Sequence, residues 1–199
     1  PGNDRELFTM DELVEAFSLE RINKAGARFD IQKAQWFNQH YLRGKSDEEL
    51  VAILMESTSG QNVSCSEEKA KKIVTVMRER VTFPADFWEQ GQFFFRAPSK
   101  FDEGVINKKW NQDAVNVVTH FKDAIAAKDS WNAEVAKSTL EESCAALSVG
   151  TGKILQALRV ALTGAGGGPD LMMIMEIIGK DEVISRLSHA LEHFKVKMA

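Results

Sequence analysis

Asp113-Ala114-Val115-Asn116-Val117-Val118-Thr119-His120-Phe121-Lys122-Asp123-Ala124-Ile125 is the stretch whose reading decides the fold class. Ala114, Val117, Val118, Phe121, Ala124 and Ile125 recur at the i, i+3, i+4, i+7 spacing that lines one face of an α-helix. Asp113 reads as an N-terminal helix residue, where a carboxylate meets the positive end of the macrodipole. Upstream, Asp30 precedes Ile31, Ala34, Phe37 and Tyr41 and is a natural N-cap. Ser46 with Glu49 forms a capping-box signature before Leu50, Ile53 and Leu54. Ser66 with Lys69 lacks the acidic partner, yet Ala70, Ile73, Val74 and Met77 still make a face. Downstream, Asp181 opens a last helix with Val183, Ile184, Leu187 and Leu191 inward, and Gly179 closes the helix before it. No segment alternates with period 2, and the short run Phe93-Phe94-Phe95 is undecided by periodicity. Breaks fall near Gly44, at 57–60, 91–98, 150–152 and 164–169. The expected fold is all-α, a bundle or cage of about nine or ten helices in two to three subdomains, with no internal repeat.

Composition narrows the function classes. Hydrophobic residues make up 44% of the 199, enough for a real core. The net charge of −4 argues against nucleic-acid binding over the whole surface, though not against a local basic face. Cys65 and Cys144 are too few for a disulfide framework or a structural zinc site, and suggest a reduced, cytoplasmic setting. No apolar run reaches the roughly 18–20 residues of a membrane helix; the longest, from Leu171 to Ile178, contains Glu176. The terminus Pro1-Gly2-Asn3-Asp4 has neither a start methionine nor a signal-peptide pattern, and reads as a cut inside a longer protein.

Three motifs resemble chemical sites without completing them. His189-Ala190-Leu191-Glu192-His193 fits the H-x-x-E-H zinc pattern, but residues 194–199 supply no further carboxylate or imidazole ligand. Gly150-Thr151-Gly152-Lys153 ends like a phosphate loop, yet Leu147 stands where the pattern needs glycine and no strand precedes it. The glycine-rich 164–168 stretch before Pro169 lacks the strand of a dinucleotide fingerprint. It reads either as a flexible connection or as a backbone surface that approaches a ligand closely. His40 and His120 fall within helical patterns, and no catalytic set and no metal-ligating set is expected.

Three segments resemble one family. Phe8-Thr9-Met10-Asp11-Glu12-Leu13 runs into Phe17-Ser18-Leu19-Glu20-Arg21, Ala27-Arg28-Phe29-Asp30 and Trp36-Phe37-Asn38. Leu158-Arg159-Val160-Ala161-Leu162-Thr163-Gly164 leads to Gly168-Pro169. Ile178-Gly179-Lys180-Asp181-Glu182 precedes Arg186-Leu187 and Ala190-Leu191. Order and spacing resemble the C-terminal tRNA-binding part of the bacterial-type glutamyl-tRNA synthetases of class I. The resemblance implies a stem-contact region at 1–44 and two anticodon-binding subdomains at 45–95 and 96–199. It implies tRNA for glutamate as partner, with no DNA and no membrane, in a cytoplasmic monomer. The family's His-Ile-Gly-His and Lys-Met-Ser-Lys-Ser type motifs are absent, and Ile22-Asn23-Lys24-Ala25-Gly26 is not the second of them. ATP and magnesium are accordingly expected only in a separate catalytic domain of the parent, with no cofactor in this chain.

Anticodon loops are read through splayed bases that stack and hydrogen-bond through their edges. Arginine suits that task because its planar fork stacks and donates twice. Met77-Arg78-Glu79-Arg80 resembles the family segment whose second arginine meets the first anticodon base, which implies that role for Arg80. In the family, arginine there goes with accepting only glutamate tRNA, glutamine with also tolerating glutamine tRNA. Arg159 resembles a second anticodon-contacting arginine, with Gln156 three residues earlier on the same helical face. Gly168, Pro169 and Leu171 correspond to the contact surface for the remaining bases, with Gly168 offering backbone alone. Lys69, Lys71 and Lys72, and Lys108 with Lys109, are candidate phosphate contacts, which add affinity without reading sequence. For both clusters a solvated face is the favoured reading, and Trp110 and Trp131 are expected to pack between helices. A different class, a helical protein–protein interaction module without an RNA role, would fit the acidic charge and missing catalytic residues equally well.

Overall fold

The computed structural model describes residues 5–22, 26 and 28–196. The terminus Pro1-Gly2-Asn3-Asp4, Asn23, Lys24, Ala25 and Ala27 of the quoted segments, and residues 197–199 lie outside the described residues. Among the described residues there are eleven α-helices and no strand. They are α1 (Met10–Ala16), α2 (Ile31–Arg43), α3 (Asp47–Ser59), α4 (Glu67–Met77), α5 (Asp86–Glu89), α6 (Glu103–Lys109), α7 (Gln112–Ala126), α8 (Ala133–Ala146), α9 (Thr151–Thr163), α10 (Leu171–Ile178) and α11 (Lys180–His193). Short 3-10 turns occupy Leu19–Arg21 and Gln92–Phe94, so the phenylalanine run is neither strand nor α-helix. The count exceeds the sequence expectation because α5 is a single turn of four residues, too short to show a period.

Local signals place most helix starts. Asp30 accepts the Lys33 amide at 3.0 Å, Ser46 and Glu49 make both bonds of a capping box, and Ser66 accepts the Lys69 amide. Asp113 lies in the first turn of the central helix, as expected of an N-terminal helix residue, and Asn111 caps that helix through the Ala114 amide. α11 begins at Lys180, one residue before the expected Asp181, which falls with Glu182 in its first turn.

Two apolar cores result. The larger gathers Trp110, Val117, Val118, Phe121, Ile125, Leu140, Ile154, Leu158 and Leu187 from α7, α8, α9, α11 and the end of α6. The smaller gathers Leu50, Leu54, Ile73, Met77, Phe87 and Phe94 from α3, α4, α5 and the 3-10 turn Gln92–Phe94. α10 serves both: Leu171 and Met175 enter the larger core, Ile174 and Ile177 the smaller. A helix buried on opposite sides must be apolar nearly all round, which explains the run from Leu171 to Ile178. Trp110 is buried and Trp131 donates its indole N–H to the Met175 carbonyl at 3.0 Å, so both pack between elements.

Polar ties reinforce this junction. Glu176 of α10 meets Lys72 of α4 at 3.0 Å and also accepts the Ala133 amide at the start of α8 at 2.8 Å. Arg186 of α11, only 4% exposed, donates to the carbonyls of Leu162 and Phe93 and pairs with Glu182 at 2.7 Å. The N-terminal side is built differently. α1 buries no residue, and Met10, Val14, Phe17, Leu19, Phe29 and Ile31 are exposed.

Candidate nucleic-acid interface

Arg80 stands in the turn that follows α4. Its amide donates to the Met77 carbonyl at 2.8 Å, and Val81 beside it is fully buried. Arg43 of α2 donates to the Glu79 carbonyl at 2.6 Å, and Asn38 donates to the Thr82 carbonyl. The backbone on both sides of Arg80 is therefore fastened. The side chain itself is exposed and makes no hydrogen bond or ion pair among the described residues. A fixed turn spares the backbone ordering, so that meeting a ligand costs only the freedom of the side chain.

The glycine-rich loop joins α9 to α10. Gly164 ends α9 at φ +80°, and a Cβ there would lie 2.4 Å from the Lys100 carbonyl oxygen. The Asp102 amide donates to the Gly164 carbonyl at 2.8 Å, so segment 98–102 lies directly on this turn. Gly166 is pressed against Val105, where a Cβ would come within 2.5 Å of Cγ2. Arg159 reaches from α9 under the loop and donates Nη1 to the Pro169 carbonyl at 2.6 Å. At Gly168 an added Cβ would meet that same nitrogen at 3.0 Å. The glycines at 164, 166 and 168 thus answer close approaches inside the chain, while Gly167 has open space. The loop is packed against its own chain at Gly164, Gly166 and Gly168.

These pieces border one cleft of about 840 Å³. Arg80 and Met77 line it together with Gln92, Arg96, Pro98, Lys100 and the loop from Thr163 to Pro169. Residues separated by more than eighty positions in sequence are brought together because α10 joins the two cores. Arg159 lies behind Pro169, half-buried. Burial holds its guanidinium below the usual arginine range, and the neighbouring Arg80 charge pushes the same way against Asp170. It remains a cation at any ordinary pH. The cleft is lined by the cations Arg80, Arg96 and Lys100 against the single carboxylate Glu89. A concentration of one sign in a concave site favours anions, although the whole protein is acidic.

Other expected residues are not gathered there. Gln156 is exposed on α9 but does not line the cleft. Leu171 requires a correction: its side chain is 3% exposed and belongs to the larger core, so any contact from it must come from the backbone. Lys71 pairs with Glu67 at 2.7 Å, and Lys72 with Glu176. Lys69 is half-buried, its ammonium 5.0 Å from the centre of the Phe95 ring, and burial lowers its pKa. These three charges are engaged within the fold. Lys108 and Lys109 are exposed at the C-terminal end of α6, where cations suit the helix dipole, and do not line the cleft. His189 and His193 stack at 4.1 Å, and no group of three metal-ligating side chains occurs among the described residues. Gln92, Arg96, Ser99 and Lys100 were missed from sequence. Their one signal was a basic, proline-containing break after the phenylalanine run, which carries no information about the distant Gly164.

Fold and cleft together define an all-α domain with a preformed cationic surface built where two helical cores meet. The chain belongs to the anticodon binding domain family, whose model matches residues 36–191. It is similar to the glutamate–tRNA ligase of Cytophaga hutchinsonii, 50% identical over 96% of this chain and 37% of that protein. It is also similar to the glutamate–tRNA ligase of Amoebophilus asiaticus, 44% identical over the same shares of the two chains. The crystal structure of a glutamate tRNA ligase from Elizabethkingia meningosepticum in complex with its amino acid superposes with a TM-score of 0.86 at 39% identity, covering 98% of this chain and 39% of that one. The chain thus spans well under half the length of the relatives it matches. The alternative of an interaction module without an RNA role finds no support in these likenesses.

Proposed function

We propose that this chain reads the anticodon of glutamate tRNA within a glutamate–tRNA ligase, and that it has no aminoacylation activity alone. The carrying observation is the cationic cleft that joins Arg80 to the Gly164–Pro169 loop, in a chain that is 50% identical to a glutamate–tRNA ligase. In this reading Arg80 meets the first anticodon base. Its fork can stack and donate at once, and its turn is already fixed. Arg159 supports the loop from behind and adds charge, and Gly167 and Gly168 offer backbone groups to the remaining bases. Residues 1–44 form the stem-contact region, with anticodon-binding subdomains at 45–95 and 96–199. The two cores favour that division, with α10 crossing it. ATP and magnesium belong to the parent's catalytic domain, and the parent works as a cytoplasmic monomer.

Titration with glutamate tRNA and with unrelated RNA over a range of salt tests the reading. Glutamate tRNA is expected to bind more tightly, with affinity falling as salt rises because counterions are released. Equal binding of both RNAs at low salt would sink it. Arg80→Gln is expected to reduce discrimination at the first anticodon base by about 1–3 kcal/mol with an unchanged melting temperature. Equal discrimination by variant and parent removes the role from Arg80.

A further inference from the structure

We infer that Lys100 holds a phosphate of the RNA strand entering the cleft, a backbone-holding role separate from base reading. The inference rests on the anticodon-binding reading above and assigns a residue that the sequence did not single out. Lys100 lines the cleft, its side chain is exposed, and it makes no hydrogen bond or ion pair among the described residues. Its backbone is locked. The Lys100 carbonyl oxygen lies 2.4 Å from where a Cβ of Gly164 would fall, and two residues on the Asp102 amide donates to the Gly164 carbonyl. A free ammonium on an anchored backbone, in a cleft whose lining has three cations and one carboxylate, calls for an anion.

Residue chemistry distinguishes it from its neighbours. Lysine is a compact point charge without a planar fork, suited to a phosphate rather than to the edge of a base. Arg96 also lines the cleft, but it donates to the Gln61 carbonyl and lies 5.3 Å over the Trp88 ring. Arg96 is therefore engaged in holding its own segment, and the free charge of this wall is Lys100.

The test is a titration of the chain with an RNA hairpin bearing the glutamate anticodon loop, and with one changed at the first anticodon base, across potassium chloride concentrations. Lys100→Ala is expected to weaken both hairpins equally, about fivefold at low salt, and to flatten the slope of log affinity against log salt by about 0.7. Lys100→Arg is expected to keep both affinity and slope, and Lys100→Gln to repeat the alanine result with the aliphatic stem retained. An unchanged slope, or a loss confined to the cognate hairpin, overturns the inference. If the parent chain itself shows no preference between the hairpins, the anticodon reading fails first. If the parent discriminates and Lys100→Ala keeps its slope, this inference alone falls.

Discussion

At the scale of single residues, Gly164 shows how tightly the binding surface is tied to the fold. Its φ of +80° lies in the left-handed region that other residues enter at a cost of about 1–3 kcal/mol, and the Lys100 carbonyl oxygen lies 2.4 Å from the place of a Cβ. Gly164→Ala is expected to destabilise the chain by at least that amount in a urea titration. It should also weaken RNA binding, because loop and segment 98–102 must separate. An unfolding midpoint equal to the parent's would mean that the two segments part freely. From sequence, the glycine run allowed either a flexible connection or a close approach to a ligand. The contacts show close approaches of a kind neither reading named, to Lys100, Val105 and Arg159 of the same chain. That distinction was invisible in sequence, since glycine records that space is lacking without recording what fills it.

At the scale of elements, α11 is held by one buried cation. Arg186 satisfies the carbonyls of Phe93 and Leu162, which belong to the smaller core's 3-10 turn and to α9. Arg186→Leu would leave both acceptors without their donor and is expected to cost about 3 kcal/mol of stability, read from the urea midpoint. Glu182→Gln should cost much less, because Glu182 is 41% exposed and the two carbonyl bonds survive it. A loss from Glu182→Gln as large as that from Arg186→Leu would place the stabilising interaction in the ion pair. The starts of α2, α3 and α4 were legible because capping is local: a side chain bonds an amide three residues on. The single turn α5 was not, because four residues hold too little pattern. The role of Arg186 was also hidden, since its partner Phe93 is 93 residues away.

At the scale of the whole molecule, the two cores are joined through α10, and Glu176 is one polar tie of that joint. The Ala133 amide, and then Lys72, hold its carboxyl below the ordinary range. A carboxyl whose folded pKa is lowered adds stability above its unfolded value and loses it as pH falls through the folded one. The melting temperature is therefore expected to fall once pH drops below the ordinary glutamate value of about 4.3. Glu176→Gln should be less stable than the parent at neutral pH and lose less over that acid range. Parallel pH profiles for the two chains would contradict this assignment. The other glutamates with lowered values at positions 12, 20, 48, 49 and 67 lie at the surface, so solvent screens their contribution.

By itself the sequence determined the all-α class, most helix starts, the absence of a complete metal or phosphate-loop motif, and a family resemblance carried on short segments. These are local properties, set by helical period, by caps and by spacing along the chain. Tertiary structure alone decided that Arg80 and the glycine loop border one cleft, that Leu171 turns into a core, and that Lys69 and Lys72 are engaged by Phe95 and Glu176, whereas the Lys71 pair with Glu67 is a local one. It also brought Lys100 to the cleft. The physical reason is that burial and charge pairing depend on which faces meet. That meeting is arranged by α10, a helix whose apolar residues announce that it is buried but not between which two cores.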